Sequence, residues 1–254
     1  MKALLPAAGL GTRWYPWSRV IPKELLPLGR YPAIHYVLEE AVEAGIGEIG
    51  IIVSQTKKLI NTYVETIWKS DHPEIGLKFF YQPAPRGVAD ALLCACTWVQ
   101  DEPVAVLYPD EIHPPDGGIR QLRRAYDHAP GCWIGLTETK QKRRQSILEV
   151  EKTDTPIFTV KGFSRETATN QIRYGIGRYI LGTGLKYLNE YLSSLGIGKS
   201  EELDDDRIFE PLWKQGVRGI ILNEPIYDVG TPENWFHTVE EFFHNRIEHH
   251  EGDF

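Results

Sequence analysis

Cysteine is scarce in this chain of 254 residues, which contains only Cys94, Cys96 and Cys132. An odd and sparse set of cysteines does not form a disulfide framework, so the sequence predicts a protein of a reducing compartment, the cytoplasm. Cys94 and Cys96 are two residues apart in a stretch that we predict to be helical, where such residues point to different faces. The spacing therefore favours buried packing over a zinc site or a redox pair.

Long apolar runs and a basic excess are also absent. No stretch approaches the roughly 20 apolar residues of a transmembrane helix, and Pro6, Gly9 and Gly11 interrupt the short apolar run at the start of the chain, which is unlike a signal peptide. The formal net charge is −7, whereas a surface that coats nucleic acid carries an excess of lysine and arginine. We therefore expect a soluble protein that binds neither a membrane nor nucleic acid.

The chain does contain a regular alternation of short apolar runs and amphipathic segments. Strand patterns at 2–7 and 49–53 flank a helix pattern at 33–44, and this βαβ order predicts a parallel sheet. Further along, the alternation gives way to two short strand patterns around a polar turn. We predict one α/β domain over residues 1–254. It is a Rossmann-like, mixed and mostly parallel sheet flanked by helices, with a small β-rich lobe inserted at 138–178.

A glycine-rich segment follows the first strand pattern, and it reads Ala7-Ala8-Gly9-Leu10-Gly11-Thr12-Arg13. Such a loop at the carboxyl edge of a parallel sheet lies where open α/β sheets bind ligands. Gly9 and Gly11 permit positive φ and leave backbone N–H groups uncovered for an anion. The planar guanidinium of Arg13 matches phosphate oxygens, and Lys23, held between two prolines, is a second candidate contact. The loop therefore predicts a phosphate-binding site.

Spacing excludes two other phosphate-binding loops. The dinucleotide fingerprint G-x-G-x-x-G requires a third glycine where Trp14 stands, so an NAD-dependent oxidoreductase is disfavoured. The P-loop pattern G-x-x-x-x-G-K-[ST] occurs nowhere in the chain. An ordinary surface loop with an exposed arginine is the remaining alternative, and the presence of Arg13 and Lys23 in one segment argues against it.

A longer stretch of this region resembles the signature of sugar-1-phosphate nucleotidylyltransferases, and most of all its bacterial UTP–glucose-1-phosphate uridylyltransferase branch. The matching residues are Ala7 to Arg13, then Pro16, then Pro22-Lys23-Glu24-Leu25-Leu26-Pro27. The resemblance implies an enzyme in which a sugar 1-phosphate attacks a nucleoside triphosphate and releases pyrophosphate. It implies catalytic roles for Arg13, Lys23 and Asp110. It also implies that the triphosphate is held by Ala8, Gly9, Gly11, Thr12 and Arg13.

The segment from Gln82 to Ala91 is similar to the part of this family that contacts the nucleotide base. It lies between a predicted strand and a predicted helix. The resemblance assigns the Gln82 side chain and the Gly87 backbone to a pyrimidine. An amide can donate and accept at once, as the edge of uracil or thymine requires. A surface turn residue is the alternative interpretation of Gln82.

Two aspartates are candidate metal ligands by the same resemblance. Asp110 ends an apolar strand pattern at the predicted ligand edge, and Asp228 resembles the family's second ligand. Mg²⁺ takes one or two carboxylates together with substrate phosphates and water, so two distant aspartates suffice. Asp228 also precedes a helix start at 231–233, and a turn residue is its alternative role. We interpret the acidic run 204–206 as a solvated loop and a first helical turn.

The sugar half of the predicted site departs from the family's pattern. Ser146 stands where the family has glycine, and the acid and base that the family uses after the next strand are transposed near Arg165. Arg165 and Lys161 are therefore alternative phosphate clamps, while Gly177 begins a Gly-Arg-Tyr that does match. The resemblance assigns the sugar phosphate to Lys161, Arg165, Glu149 and Gly177. The departures favour either a changed sugar specificity or a weakened activity.

The sequence thus predicts a nucleotidylyltransferase that uses UTP before dTTP, favours glucose 1-phosphate and requires Mg²⁺. A homodimer is implied by the resemblance alone. A second hypothesis is a non-catalytic protein that senses nucleotides or sugar nucleotides, because positions 146 and 165 differ from the family. Turnover with a panel of substrates separates the two hypotheses.

Overall fold

The computed structural model describes residues 1–114, 116–138, 147–153, 155–164, 172–195, 203, 205–223 and 225–247. The strand Lys2–Pro6 lies in the interior of the fold, and its first four residues are buried. Such continuous burial is typical of a parallel strand that is covered on both faces. It pairs in parallel with strands at Glu48–Ser54 and Val104–Leu107. The predicted βαβ unit is therefore present.

The described strands have the following bounds. They are β1 (Lys2–Pro6), β2 (Pro27–Leu28), β3 (Tyr31–Pro32), β4 (Glu48–Ser54), β5 (Gly76–Gln82), β6 (Val104–Leu107), β7 (Glu111–Ile112), β8 (Cys132–Thr137), β9 (Ile147–Lys152), β10 (Ile157–Phe163), β11 (Ile172–Leu181), β12 (Val217–Ile221) and β13 (Tyr227–Asp228).

The helices cover the sheet and carry most of the connections. They are α1 (Ala33–Glu43), α2 (Lys58–Tyr63), α3 (Val88–Leu93), α4 (Cys96–Val99), α5 (Gly118–His128), α6 (Lys186–Ser194), α7 (Asp205–Phe209) and α8 (Pro232–Ile247). Helix α2 continues through a π turn, Val64–Trp68, and a last turn, Lys69–Asp71. Short 3-10 helices lie at Thr12–Trp14, Trp17–Arg19, Lys23–Leu25 and Glu210–Gln215.

Helix α1 begins and ends close to its predicted bounds. Its apolar side chains recur at helical spacing and are buried, as Ile34 and Leu38 illustrate. Gly45 ends the helix with a φ of 75°. Its N–H donates to Val42 O, and the N–H of Ile46 donates to Ala41 O, at 2.8 and 3.1 Å. These two bonds form the Schellman arrangement that glycine stabilises at helix ends.

Nine strands form one mixed sheet in the order β5-β4-β1-β6-β11-β8-β12-β10-β9. Strands β10 and β11 run opposite to the rest, because each is antiparallel to its neighbours. The prediction of a mixed, mostly parallel sheet flanked by helices is confirmed. Since β1, β4, β5 and β6 run the same way, the loops that follow them share one edge of the sheet.

The predicted inserted lobe corresponds to a hairpin, β9–β10, that continues the main sheet. Strand β10 pairs with β12 on one side and with β9 on the other. Strand β11 then links the hairpin to the sheet: Ile172–Tyr174 pair with β9, and Arg178–Leu181 pair with β6. Gly175 and Gly177 interrupt the apolar pattern of this strand, so its full length is not evident from the sequence.

The core lies on both faces of the sheet. Ala3 and Leu5 of β1 pack in one apolar cluster with α1, while Leu4 packs in a second cluster with α3. Both leucines are fully buried, and each such side chain contributes about 2 kcal/mol relative to an exposed one. Among the described residues, no helix has the length and apolar character that a membrane crossing requires.

Candidate active site

A cavity of about 410 Å³ opens at the sheet edge where β1, β5 and β6 end. It brings together most of the residues that the sequence singled out, although they are far apart along the chain. Those predicted residues are Ala8, Gly9, Gly11, Thr12, Arg13, Lys23, Gln82, Gly87, Asp110, Gly177 and Asp228.

The glycine loop borders the cavity through two glycines with different roles. Gly11 has a φ of 64° and a ψ of 39°, in the left-handed region, and its carbonyl accepts the N–H of Trp14 at 2.9 Å. Gly9 does not use the positive φ that glycine permits, and a Cβ there would meet nothing within 4 Å. The missing side chain at Gly9 therefore leaves the backbone open to the cavity.

Trp14 fastens the glycine loop to the segment that carries Asp228. Its indole N–H donates to Val229 O at 2.9 Å, and its ring packs edge-on against Trp235 at 5.9 Å between centroids. The side chain is buried. Sequence reasoning used Trp14 only to exclude a dinucleotide fold. Because Trp14 is buried and its N–H is hydrogen-bonded, it holds the glycine loop and the segment of Asp228 in position relative to each other.

Lys23 forms an ion pair with Asp110 inside the site. Burial by itself lowers the pKa of Lys23, but the carboxylates of Asp110 and Glu24 outweigh it and raise the pKa above its ordinary value. The ammonium therefore stays charged at neutral pH. A fixed positive charge beside Asp110 is suited to a phosphate group that approaches the same point.

A second lysine, Lys57, holds this region together from behind. Its Nζ donates to both carboxylate oxygens of Glu24, at 2.9 and 2.8 Å, and to Ala7 O at 2.9 Å. Both charged side chains are buried. Burial lowers the pKa of Lys57 in spite of Glu24. The pair connects the end of β1, the Lys23 segment and the loop after β4.

The two candidate metal ligands meet because β7 and β13 pair in a small antiparallel sheet, with Asp228 opposite Glu111. The N–H of Val229 also donates to Asp110 O at 2.9 Å. A Cβ at Gly230 would lie 3.2 Å from Asp228 Oδ1, 3.3 Å from Asp110 Oδ2 and 3.5 Å from Arg13 Nη2. Both carboxylates and the arginine therefore face one small space that only glycine leaves open.

Asp228 also takes the turn role that we gave as its alternative. Its Oδ1 accepts the N–H of Gly230 at 3.0 Å and the amide of Asn234 at 2.8 Å, just before α8. The hydroxyl of Thr238 accepts the backbone N–H of Asp228 and donates to the Asp228 carbonyl. The two roles are compatible, because these bonds orient the carboxylate of a residue that also lines the cavity.

The strand end that carries Asp110 is held by a fully buried arginine, Arg178. Its guanidinium donates to both oxygens of Glu40, and the Nη2–Oε2 distance is 2.7 Å. It also donates to the carbonyls of Tyr108, Gly177 and Glu111. Removing one partner of such a pair costs roughly 3–5 kcal/mol, because the other charge stays buried.

Sequence reasoning missed this pair, although one signal was available. Glu40 shares a face of α1 with the buried residues Ala33 and Val37, and an acid on an apolar helix face usually has a buried partner. Glu40 also accepts the N–H of Ile119 at 2.7 Å, at the start of α5. The carboxylate therefore links α1, α5 and the Asp110 strand end.

Gly177 lines the cavity and is tightly enclosed. Its N–H donates to Glu111 Oε2 at 3.0 Å, and its carbonyl accepts the N–H of Tyr108 at 2.9 Å. A Cβ there would lie 2.6 Å from the Cβ of Tyr108, closer than real side chains approach. The register of β11 against β8 shifts between Gly175 and Tyr179, so Gly177 lies in an irregular part of the strand.

The amide of Gln82 is buried and oriented by two acceptors. Its Nε2 donates to Gly87 O at 3.0 Å and to Asp90 Oδ2 at 2.9 Å. We expected this amide to donate and accept toward a base at once. Its donors are instead used within the protein, and its oxygen is the group that remains for a ligand.

The predicted sugar-phosphate residues are not gathered as the sequence suggested. Lys161 lies on the exposed face of the hairpin and pairs with Glu151 at 2.6 Å, while Glu149 is exposed on β9. Neither is among the residues that line the cavity. In both strands the alternate residues are the buried ones, so these charged side chains point away from the core. Arg165 and Ser146 lie outside the described residues.

Aromatic side chains line the cavity where the sequence predicted charges. Tyr179 donates its hydroxyl to that of Tyr108 at 3.0 Å, and Phe209 packs edge-on against Tyr179 at 5.1 Å. Phe163, at the end of β10, completes this wall. A regular apolar spacing does not distinguish such residues from core residues, so they could not be recognised as candidate site residues.

The arrangement combines two positive side chains, an open glycine backbone and two carboxylates around one space. These groups suit a polyphosphate bound together with a hard cation, because carboxylate oxygens are the protein ligands that such cations prefer. The fold and site define a nucleotidyltransferase. The nucleotidyl transferase family model matches residues 2–243, and the chain belongs to that family.

Two relatives make the resemblance specific. A UTP–glucose-1-phosphate uridylyltransferase of Bacillus subtilis (strain 168) is 30% identical over 268 residues, covering 95% of this chain and 90% of the relative. UTP–glucose-1-phosphate uridylyltransferase 1 of Staphylococcus saprophyticus is also 30% identical, over 95% of this chain and 92% of its own length. The predicted family and the enzyme class are confirmed.

Solved structures show the same fold. A UDP-glucose pyrophosphorylase complexed with UDP-glucose has a TM-score of 0.81 and 24% identity, and the match covers 96% of this chain and 99% of that chain. A UTP-bound UGPase from Acinetobacter baumannii has a TM-score of 0.79, with 98% and 94% covered. The predicted α/β fold class is thereby confirmed.

Proposed function

We propose that the chain transfers a uridylyl group from UTP to a sugar 1-phosphate, with glucose 1-phosphate favoured and dTTP as a second nucleotide. The observation that carries the proposal is the convergence of Arg13, Asp110 and Asp228 on the space beside Gly230, with Lys23 paired to Asp110. The names of the relatives support the choice of UTP and glucose 1-phosphate. The proposal includes a cytoplasmic location, which the sparse and odd set of cysteines supports.

The chain's own residues supply positioning and electrostatic stabilisation. The backbone of Gly9 and Gly11 and the guanidinium of Arg13 bind the triphosphate. Lys23 holds its proton and neutralises charge that develops on the reacting phosphate. The sugar phosphate is ionised at neutral pH, so the reaction needs no general base. Each fixed donor of this kind contributes about 3–4 kcal/mol to transition-state stabilisation.

We propose Asp110 and Asp228 as the residues that hold Mg²⁺, since enzymes of this family generally use a divalent metal. The space beside Gly230, which a Cβ would fill, supports the fit, and so does the all-oxygen donor set. When bound, the ion polarises phosphoryl oxygens and offsets their charge. Lys23 keeps Asp110 oriented by its ion pair.

The cavity offers separate regions for the base and the sugar. Gln82 and Gly87 form the base region at the end of β5. We propose that the aromatic wall of Tyr108, Phe163 and Tyr179 contacts the sugar. The faces of aromatic rings pack well against the C–H groups of a sugar ring, while the sugar hydroxyls form hydrogen bonds with other groups. Lys161 and Glu149 are not needed for this arrangement. A dimer remains a proposal that the resemblance alone supports.

Pyrophosphate release from UTP, dTTP, CTP and GTP, each with a panel of sugar 1-phosphates at about millimolar Mg²⁺, tests the proposal. We expect the highest kcat/KM for UTP with glucose 1-phosphate. A high rate with a different sugar would correct the acceptor and keep the class of reaction. Nucleotide binding without turnover for every pair would instead support a sensor.

A further inference from the structure

The base region contains a charged residue that the proposed chemistry does not use, Asp90 of α3. Its Oδ2 accepts the amide of Gln82 at 2.9 Å, and its Oδ1 lies 3.6 Å from Nη1 of Arg86. Its side chain is 19% exposed, and Gln82 is 4% exposed. Asp90 therefore lies directly behind a buried amide that borders the cavity.

The orientation of the Gln82 amide is fixed by this contact together with a second one. A carboxylate and a backbone carbonyl only accept hydrogen bonds, so the group that faces Asp90 and Gly87 must be the Gln82 nitrogen. Turning the amide over would bring its oxygen against two other oxygens. Both hydrogens of Nε2 are consequently used inside the protein, at 3.0 and 2.9 Å.

The second acceptor, Gly87 O, is itself held by hydrogen bonds and packing. Gly87 O also accepts the N–H of Ala91 at 3.2 Å, at the start of α3. The backbone of Leu203 packs on this turn: its N–H donates to Arg86 O at 2.8 Å, and its carbonyl accepts the N–H of Ala89 at 2.9 Å. A Cβ at Gly87 would lie 2.7 Å from Leu203 N, so the turn packs closely against this backbone and has no space for a side chain.

We propose that Asp90 determines nucleotide specificity by committing Gln82 to act only as a hydrogen-bond acceptor toward the base. This inference rests on the proposed function. Uracil and thymine carry an N–H at ring position N3, whereas cytosine has a lone pair there. An oxygen presented to that position binds the first two bases and repels the third. Specificity for UTP or dTTP over CTP thus depends on a residue that acts through Gln82.

The test is the substitution Asp90→Asn, which keeps the size of the side chain and adds a donor. The oxygen of the new amide is attracted by Arg86, and its nitrogen then faces Gln82. The variant therefore removes one of the two acceptors that orient the Gln82 amide, and Gly87 O alone still favours the original orientation. We expect the ratio of kcat/KM for UTP to that for CTP to fall by roughly fivefold to tenfold. The change comes chiefly from a gain with CTP, while kcat at saturating UTP stays within about twofold because the base is remote from the reacting phosphate.

Two further variants separate specificity from stability. Asp127→Asn removes the carboxylate of an exposed ion pair with Arg123 in α5 and serves as the matched control, with an unchanged ratio expected. In a Gln82→Met background, which has no amide to orient, Asp90→Asn should leave the ratio unchanged. Equal losses with UTP and CTP in Asp90→Asn, or a further shift in the Gln82→Met background, would overturn the inference.

Dissociation constants for UTP and CTP, measured together with turnover, distinguish a failure of the role of Asp90 from a failure of the proposed function. If the wild-type protein turns over UTP but Asp90→Asn does not change the ratio of kcat/KM for UTP to that for CTP, the role of Asp90 is overturned. The proposed function then remains intact. A wild-type protein that binds no nucleoside triphosphate overturns both. Binding without turnover removes the reaction but still tests Asp90 through the ratio of dissociation constants.

Discussion

Two ion pairs with nearly the same geometry lie in very different surroundings. Lys57 and Glu24 are 2.8 Å apart behind the glycine loop, with 7% and 1% of their side chains exposed. Lys161 and Glu151 are 2.6 Å apart on the β9–β10 hairpin, with 50% and 66% exposed. Water screens the second pair, so it contributes little, whereas loss of one partner from the first leaves a buried charge. Burial, and not distance, identifies the pair that holds the site.

The same contrast separates the two halves of the site. The nucleotide half is fixed by buried charges whose hydrogen bonds go to backbone carbonyls, as Lys57 and Arg178 show. The hairpin exposes its charged side chains and contributes an aromatic residue, Phe163, to the cavity. A region fixed by buried polar networks tolerates few substitutions. An exposed hairpin can change its sequence without loss of the fold.

The largest effect is expected for Asp110→Asn, which removes a charge from the reacting region. We expect kcat to fall by about 10²–10³-fold, since the carboxylate is proposed to hold the metal and orients Lys23. Turnover with UTP and glucose 1-phosphate measures it, with circular dichroism as the check on folding. Asp127→Asn is the control of matched chemistry. Retention of more than about a tenth of the activity would contradict the catalytic role.

Lys57→Met tests the comparison between the two ion pairs directly. It leaves Glu24 buried without its cation, and we expect the free energy of unfolding to fall by roughly 3–5 kcal/mol. Lys161→Met is the matched variant of the exposed pair, with an expected change of about 0–1 kcal/mol. Urea unfolding measures both variants. Equal losses would show that exposure does not explain the difference.

Lys161→Met also tests the phosphate clamp that the sequence suggested. With the side chain outside the cavity lining, the KM for glucose 1-phosphate should change by less than about threefold. A tenfold rise, on the order of 1.4 kcal/mol, would show that the hairpin reaches the substrate during turnover.

Gly230→Ala should have a moderate effect. The backbone there does not need positive φ, but the new methyl group would press on Asp228 Oδ1 and Asp110 Oδ2 at 3.2 and 3.3 Å. We expect kcat to fall about tenfold through displacement of the carboxylates. Gly47→Ala, where a Cβ would meet nothing within 4 Å, is the control. Full activity in Gly230→Ala would show that the space beside Gly230 is not used.

The smallest effect concerns pH. The pKa of Lys23 is raised above 10.5, so the stability from its pair with Asp110 is fully present below that value and is lost only as pH rises through the folded-state pKa. The stability difference between wild type and Lys23→Met should therefore be constant between about pH 7 and 9. Urea unfolding at several pH values measures it. A decline within that range would indicate a lowered pKa.

Much of the fold could be predicted from the sequence, because periodic burial leaves a periodic pattern. The strand patterns at 2–7 and 49–53 agree with β1 and β4 to within one residue at each end, and the helix pattern at 33–44 agrees equally well with α1. The long strand β11 could not be predicted in full. Its first half is defined by pairing with the hairpin, and partners distant in sequence leave no local pattern. The three 3-10 helices in the loop after β1 could not be predicted, because the glycines and prolines of this loop indicate turns and not helices.

Candidate site residues could be selected from the sequence where the chemistry has a recognisable motif, but not where a residue acts by supporting another. Arg13, Lys23, Asp110 and Asp228 carry recognisable motifs, and they meet in one cavity. Lys57 and Glu40 carry none, and a charged residue in a sequence usually indicates surface. Asp90 could not be selected from the sequence either, because its proposed role depends on how it orients the Gln82 amide in the folded protein.

The most direct test of the central claim is a product balance. Wild-type protein, UTP, glucose 1-phosphate and Mg²⁺ are incubated together, and pyrophosphate and the nucleotide sugar are measured in the same sample. The account predicts that the two products form in equal amounts, and that both fall together in Asp110→Asn. Pyrophosphate without nucleotide sugar, or neither product with any sugar 1-phosphate, would contradict nucleotidyl transfer at this site.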